Sequence, residues 1–326
     1  MGRPAHRKSD TPQQWGTMAK ARNNPSSAHE AELGIERLRG LLGDFTCEFD
    51  AGASTRDVYK KAVALFLAWS EGMPLTTATL RLYKDFLLNR KLAANTISTY
   101  LSSTKQYLSY MVEKGVLTSN PAANLKRPRI PKHHLRDSLT RRQARKLLAS
   151  IPGDSLKGLR DYAMANLMLR TALREIELSR ALISDIVIKE GRRVLLVQGK
   201  GRDGKDEFVL LTREAFVPLK TYLKKRKPDS VNQPLFAPMR GPMRSLTTRA
   251  IRKIITGYLI TCRLKNKRIS AYSLKHTAIT LAIQGGKGRN ILQVQQMARH
   301  MNISTTLKYY HEYGRMKNAA EFDIDL

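Results

Sequence analysis

Apolar residues recur every three or four positions through the first half of the chain, the spacing of helices that bury one face. One such stretch follows Ser54-Thr55, which can cap a helix, and carries Val58, Val63, Leu65, Phe66 and Trp69 before Gly72 ends it. A second opens at Pro74 and Thr76-Thr77 and carries Leu80, Leu82, Tyr83, Phe86 and Leu87. A long third helix starts at Asn95-Thr96, keeps Ile97, Leu101, Leu108, Met111 and Val112 on one stripe, and ends at Lys114-Gly115. With the turn and short helix expected in GVLTSNPAANL, these elements make a small helical bundle over residues 53–125. Residues 1–52 precede it: a polar, basic stretch broken by Pro4, Pro12 and Pro25, read as a disordered tail, then helical spacing from Ala28 to Leu42 with no evident role.

Residues 126–137, KRPRIPKHHLRD, interrupt the pattern with two prolines and a run of cations. This is the clearest boundary, either a flexible linker or a strap over a nucleic-acid backbone. Beyond it, Thr140 caps RRQARKLLASI, and a helix is expected from Leu156 to Leu169. The period then changes. Residues 183–188, 193–197 and 207–211 are short and rich in β-branched side chains, and the turns KEGR and GKGRDGKD separate them, so they read as a small antiparallel sheet. Helices are expected again over 213–226, about 245–261, 273–284, 289–299 and 304–312. The fold class is therefore mainly α with a small antiparallel β-sheet, in two domains, 53–125 and 138–326, joined by the basic linker. The closing KNAAEFDIDL, acidic and apolar, is read as a segment that packs on a neighbouring subunit.

Charge sharpens this picture. The 326 residues hold 58 Lys+Arg against 27 Asp+Glu, a formal net charge of +31. So large an excess repels itself in the compact state unless a polyanion offsets it, which makes nucleic acid the first partner to propose and an anionic membrane the weaker one. No apolar run approaches the ~20 residues of a membrane span, and MGRPAHRKSD lacks the apolar core of a secretory signal. A cytoplasmic, nucleoid-associated location is expected. Cys47 and Cys262 lie far apart and outside any metal-ligand spacing, so neither a disulfide framework nor structural zinc is expected.

Several residues sit where packing does not ask for them. Arg174, in TALREIELSRAL, lies between the apolar Leu173, Ile176 and Leu178, where it can hold a rigid fork toward a phosphate or pair with Glu175 or Glu177. Lys200 stands in a glycine-rich hairpin tip that can enter a groove and protonate a leaving oxygen; a solvated loop lysine is the plainer alternative. Tyr272, Lys275 and His276 open a helix in ISAYSLKHTAITLAI, with Ser270 or Ser273 as its cap, at an end that favours an anion. The run QMARHMNISTTLKYYH reads as two short helices around a polar turn. His300 in it can hold a phosphate oxygen, and a tyrosine hydroxyl can act as a nucleophile.

In this order the boxes TALREIEL, GKG in the hairpin, YSLKHT and ARHMNISTTLKYYH resemble the tyrosine recombinase/phage integrase family over residues from about 55 to 315. The family's boxes read T-G-L-R-x-x-E-L, G-K-G, H-x-L-R-H-T, and L-G-H with Tyr nine residues later. The resemblance implies a two-domain, C-shaped clamp on double-stranded DNA, with residues 53–125 as the core-binding domain and 138–326 as the catalytic one. It implies Tyr309 as nucleophile, forming a 3′-phosphotyrosyl bond, with Tyr310 as competitor, and Lys200 as general acid for the 5′-hydroxyl. Arg174, Lys275, His300 and Tyr272 would stabilise the charged phosphate. Lys126, Arg127, Arg129, Lys132, Arg202, His276 and Arg299 are the further candidates for DNA contact. No metal or other cofactor is implied. The expected partners are duplex DNA, three further copies of the chain in a tetramer, and accessory DNA-bending factors.

Three departures from the family stand out. Tyr272 replaces the second-box His, Lys275 replaces the second-box Arg, and Ala298 is read at the glycine before the third-box His. Lysine keeps the charge but loses the bidentate fork. These changes leave two alternatives open: a site-specific DNA-binding protein without catalysis, and a strand transferase of the telomere-resolvase or type IB topoisomerase kind.

Overall fold

In the computed structural model, residues 37–129, 136–199, 201–285 and 290–314 are described, the last four by backbone alone. The N-terminal tail, Lys132, Lys200 and the KNAAEFDIDL segment lie outside them. The chain forms two compact units that divide between residues 131 and 132.

The first unit is helical, with α1 (Leu42–Glu48), α2 (Ala53–Trp69), α3 (Thr77–Asn89) and α4 (Ala94–Glu113). Its core joins Phe45, Phe66, Leu80, Tyr83, Leu87, Leu101, Tyr107, Leu108 and Met111. The predicted stripes hold apart from their edges: Val58 and Leu82 are exposed, because each lies one position off the buried face. Thr76 caps α3, accepting from the Thr79 N–H, but Ser54-Thr55 do not cap α2, which starts after Gly52. The Tyr107 hydroxyl donates to the Leu38 carbonyl and ties the entering segment to α4.

The second unit runs α5 (Arg141–Ala149), α6 (Leu156–Thr171), α7 (Glu175–Arg180), a 3-10 turn (Ile183–Asp185), β1 (Ile186–Lys189), β2 (Arg192–Val197), β3 (Glu207–Leu210), α8 (Arg213–Arg226), α9 (Thr248–Thr261), α10 (Ser273–Gln284), α11 (Ile291–Ala298) and α12 (Ile303–Gly314). The fold is mainly α with a three-stranded antiparallel sheet in the order β1-β2-β3. Its first strand begins at Ile186, since residues 183–185 tighten into the 3-10 turn around Asp185, whose carboxylate accepts the Leu182 N–H.

Helix α6 is the axis of this unit and is buried on nearly all sides. Two buried charges belong to it. Arg160 pairs with Asp161 at 2.7 Å and donates to the Ala237 carbonyl, while the Tyr258 hydroxyl donates to Asp161 at 3.0 Å, so α6, α9 and the 237 segment are locked together. Thr140 caps α5 in a reciprocal capping box with Gln143, as the sequence predicts. Among the described residues no helix is long and apolar enough to cross a membrane.

Candidate active site

The site is built where α6 stops. Ala172 takes a left-handed conformation, φ 52°, and turns the chain sharply, so that Arg174 becomes the residue in front of α7. A carboxylate three residues on answers it: the Arg174 N–H donates to Glu177 Oε2 at 2.8 Å, and its Nη1 donates to Oε1 at 2.7 Å. Of the two partners the sequence allows, Glu177 is the one that pairs. Glu175, beside it, pairs with Arg252 at 3.2 Å.

Arg299 enters from the opposite side, at the end of α11. All five of its guanidinium N–H donors find acceptors: Glu177 Oε2 at 2.8 Å and Oε1 at 3.4 Å, and the carbonyls of Ala172 at 2.9 Å, Met297 at 2.7 Å and Thr171 at 3.3 Å. The position beside His300, that of the glycine in L-G-H, belongs to Arg299 and not to Ala298. Arg299 takes the left-handed backbone, φ 54°, that a glycine would adopt freely. The other glycine position of the boxes, in T-G-L-R, is Ala172, likewise left-handed.

Lys275 lies in the first turn of α10 and is wholly buried. Two protein carbonyls hold its Nζ, those of Ala172 at 2.8 Å and Ala298 at 2.9 Å. Burial, then the guanidinium groups of Arg174 and Arg299, push its pKa well below the ordinary lysine value. Burial alone would raise the Glu177 carboxyl; the Arg299 guanidinium and the Arg174 N–H outweigh it and hold that carboxyl below its ordinary value. The Tyr272 phenol is pushed up, first by burial, so it stays protonated and can donate but not accept a proton. Neither Ser270 nor Ser273 caps α10: Ser273 Oγ instead accepts the Ser270 N–H, and Tyr272 opens the helix.

The aromatic side of the site comes from α10 and α12. The Tyr309 ring is buried with Ala172, Ala278, Ile279, Val294 and Ala298. It stacks near His300, centroids 6.1 Å apart, and tilts over His276 at 5.2 Å. His276 in turn meets the Tyr272 ring edge-on at 4.8 Å. The Thr306 hydroxyl and His300 Nδ1 share a hydrogen bond of 2.9 Å that orients the imidazole, and Gln295 donates to the His300 backbone carbonyl, which fixes the turn that carries it. Tyr310 is half-exposed, on the other side of α12. A cleft of about 350 Å³, lined by Arg136, Arg252, Glu175, Ser270 and Tyr272 among others, opens next to these groups.

The structure thus gathers Arg174, Tyr272, Lys275, His276, Arg299, His300 and Tyr309 into one continuous cluster. Arg202 stands apart, in the turn before β3, where it pairs with Asp206 and Glu207 at 3.3 Å each. Lys126, Arg127 and Arg129 are exposed at the end of the first unit. Sequence reasoning missed Arg180, whose Nη1 donates to the Gly199 carbonyl at 2.9 Å and braces the hairpin one residue before Lys200. Its place in the last turn of α7, six residues after Arg174, was the available signal. Among the described residues no three His, Cys, Asp or Glu side chains are grouped as a metal site would need.

A buried tyrosine flanked by two imidazoles, in one cluster with an arginine paired to a carboxylate, can present a hydroxyl to a bound phosphate. The phage integrase family model matches residues 137–315. Curated relatives agree. The chain is 30% identical over 212 residues to tyrosine recombinase XerC of Caldanaerobacter subterraneus subsp. tengcongensis, covering 65% of this chain and 57% of that protein. It is 28% identical over 283 residues to tyrosine recombinase XerD of Proteus mirabilis, covering 84% and 88%. The fold matches the solved Tn1549 transposon integrase in complex with circular intermediate DNA, with a TM-score of 0.69, 19% identity, and coverage of 90% of this chain and 99% of that one. The chain belongs to the phage integrase family, the tyrosine recombinases, enzymes of site-specific DNA recombination.

Proposed function

We propose that Tyr309 is the nucleophile of this recombinase and that the reaction moves a mobile element. The observation that carries the reading is the packing of Tyr309 between His276 and His300 beside the Arg174–Glu177 pair. Tyr309 Oη attacks the scissile phosphorus and one of the flanking imidazoles takes the phenolic proton. The P–O bond to the 5′-oxygen breaks, and Lys200 gives that oxygen its proton. A 3′-phosphotyrosyl bond remains, which stores the energy of the broken phosphodiester. A 5′-hydroxyl from a partner strand then attacks the phosphorus and gives its proton to the neutral Lys200, while the P–O bond to Tyr309 breaks and the imidazolium returns the phenolic proton. Arg174, tied to Glu177, presents its remaining donors to the non-bridging oxygens as their charge grows, and Tyr272 adds a neutral donor. Lys275 acts from behind this surface through the two carbonyls it holds.

Around this site the local charge favours a polyanion. Arg174, Arg252 and Arg299 face two carboxylates, Glu175 and Glu177, so an incoming phosphate meets an excess of positive charge. Lys126, Arg127, Arg129, Lys132 and Arg202 are proposed as further contacts to the phosphates of the duplex. Strand exchange joins two DNA sites, which calls for four protomers, with DNA-bending partners where the site must be curved. The Tn1549 transposon integrase, similar over nearly its whole solved length, supports the assignment to a mobile element.

Covalent trapping tests this. Nicked duplex from the ends of the element that carries the gene lets the small cleaved fragment diffuse away, so the adduct accumulates. An adduct on the peptide with Tyr309, lost in Tyr309→Phe, is the expected result. An adduct on Tyr310 would move the nucleophile by one residue. Tight site-specific binding with no adduct would leave a DNA-binding protein without catalysis.

A further inference from the structure

A second arginine takes part in this site in a way the family's boxes do not supply. In H-x-L-R-H-T the arginine stands where this chain has Lys275, and in L-G-H a glycine stands where it has Arg299. The two departures meet in space: Lys275 and Arg299 both donate to the Ala172 carbonyl, and Lys275 also holds Ala298, the residue before Arg299. We infer that Arg299 is a positioning residue that has taken over the second arginine's place in the cluster, fixing Glu177 and through it the guanidinium of Arg174. This rests on the reading of Arg174 as the group that meets the phosphate.

Three observations carry the inference. Glu177 is fully buried and divides its two oxygens between Arg174 and Arg299, so neither guanidinium can shift without the carboxylate following. Arg299 has no donor to spare for a phosphate: all five are used within the protein, and its side chain is 3% exposed against 24% for Arg174. Its role is therefore to aim Arg174, not to touch the substrate. Finally, Arg299 occupies a left-handed backbone position, a conformation that glycine adopts freely and most residues with a side chain do not. From that position Arg299 makes bonds to Glu177 and Ala172 that a glycine could not make.

Lysine at 275 fits the same account. An arginine there would bring a second fork into the space the Arg299 guanidinium fills. Lysine reaches the two carbonyls with a single nitrogen and bolts the Ala172 turn to the end of α11. Positions 275 and 299 thus form a coupled pair, each choice sensible only with the other.

The test uses the full chain and its site DNA, with Arg299→Lys, Arg299→Gly and the double variant Arg299→Gly/Lys275→Arg. Cleavage of the nicked substrate is followed in a single turnover. Binding is measured on duplexes in which each phosphate in turn is an uncharged methylphosphonate. Arg299→Lys is expected to bind intact site DNA within about threefold of wild type but to cleave about 100-fold more slowly. The double variant is expected to recover to within about tenfold of wild type, well above Arg299→Gly alone. One methylphosphonate should weaken wild-type binding by about tenfold and Arg299→Lys by only about twofold, since an unaimed Arg174 no longer senses that charge.

Cleavage by Arg299→Lys within about threefold of wild type, or an unchanged interference pattern in it, overturns the inference. So does a double variant no better than a folded Arg299→Gly. If Arg299→Gly does not fold, the Lys variant decides. If the wild type gives no adduct, the Tyr309 reading falls, and the methylphosphonate pattern alone then decides whether Arg299 aims Arg174.

Discussion

Lys275 Nζ and Arg299 Nη2 donate to one acceptor, the carbonyl of Ala172, at 2.8 and 2.9 Å. Two cations on one oxygen repel each other, and the lysine, which can lose its proton, gives way. Burial and the neighbouring Arg174 and Arg299 hold its folded pKa well below 10.5. Between that folded value and 10.5 the unfolded chain binds more protons than the folded one, so stability rises with pH through this window. Lys275→Met has no such titration. Urea midpoints from pH 7 to 10 should show wild type gaining on the Met variant as pH rises. A difference in midpoint that stays constant, or that shifts in favour of the Met variant as pH rises, would mean that Lys275 is charged in the folded state throughout.

Glu177 carries the opposite sign. Its folded pKa is depressed below 4.5, so the stability it contributes is fully present above 4.5 and lost as pH falls through the folded value. Glu177→Gln leaves the Arg299 guanidinium buried without its counter-charge, which costs roughly 3 kcal/mol at pH 7. The gap between the Gln variant and wild type should close in acid, once wild-type Glu177 is protonated as well. Chemical denaturation at pH 7 and below pH 4 checks both halves. Equal gaps at the two pH values would refute an ionised Glu177.

The paired tyrosines separate by burial. Tyr309 is 4% exposed and Tyr310 49%. Tyr309→Ala opens a cavity among Ala278, Ile279 and Val294 and should cost about 3 kcal/mol or more, whereas Tyr309→Phe keeps the ring and should cost less than about 1. Tyr310→Ala removes a half-solvated ring and should change stability by about 0.5 kcal/mol. Thermal melts of the three variants would read this directly, and equal losses at 309 and 310 would show that α12 is rotated so that Tyr310 shares the buried face.

Much of this was legible in the sequence, and the failures have physical reasons. Helices α8 and α10 begin and end where the periodicity predicts, because Thr212 and Lys227 flank the first and Gly285 ends the second. Arg174 drew notice in the sequence as a cation among apolar positions, whereas His300 and Tyr309 were singled out by the nine-residue spacing of the family's third box, and the structure brings the three into one cluster. The roles of Lys275 and Arg299 were not. Spacing along the chain says that Lys275 opens a helix, where an anion would suit it. That two carbonyls from residues 172 and 298 close over it is a matter of tertiary packing between segments more than 20 residues apart. The same holds for Arg299, whose partner Glu177 lies 122 residues away. Its left-handed backbone is visible only as a φ angle, and aligning the third box by letters alone put the glycine position one residue early.

The start of α6 offers a prediction that tests the fold independently of the site. Gly158 sits in its first turn, where Ser155 Oγ accepts its N–H at 3.1 Å. A Cβ added there would lie 1.8 Å from the Pro152 carbonyl oxygen, a backbone atom that cannot swing aside as a side chain would. Two effects oppose each other in Gly158→Ala. Helix propensity favours alanine by roughly 1 kcal/mol, while forcing the Pro152 turn away from α6 costs about 1–3 kcal/mol as overpacking. Since α6 is the buried axis of the second unit, the turn has little room to yield, and the steric cost should win. The variant is expected to be less stable than wild type by about 1–2 kcal/mol. DNA binding should be retained at temperatures where it stays folded, because Gly158 lies at the opposite end of α6 from Ala172. Urea denaturation of the two proteins settles the sign, and an alanine variant as stable as wild type or more so would show that the 152–155 turn is free to move.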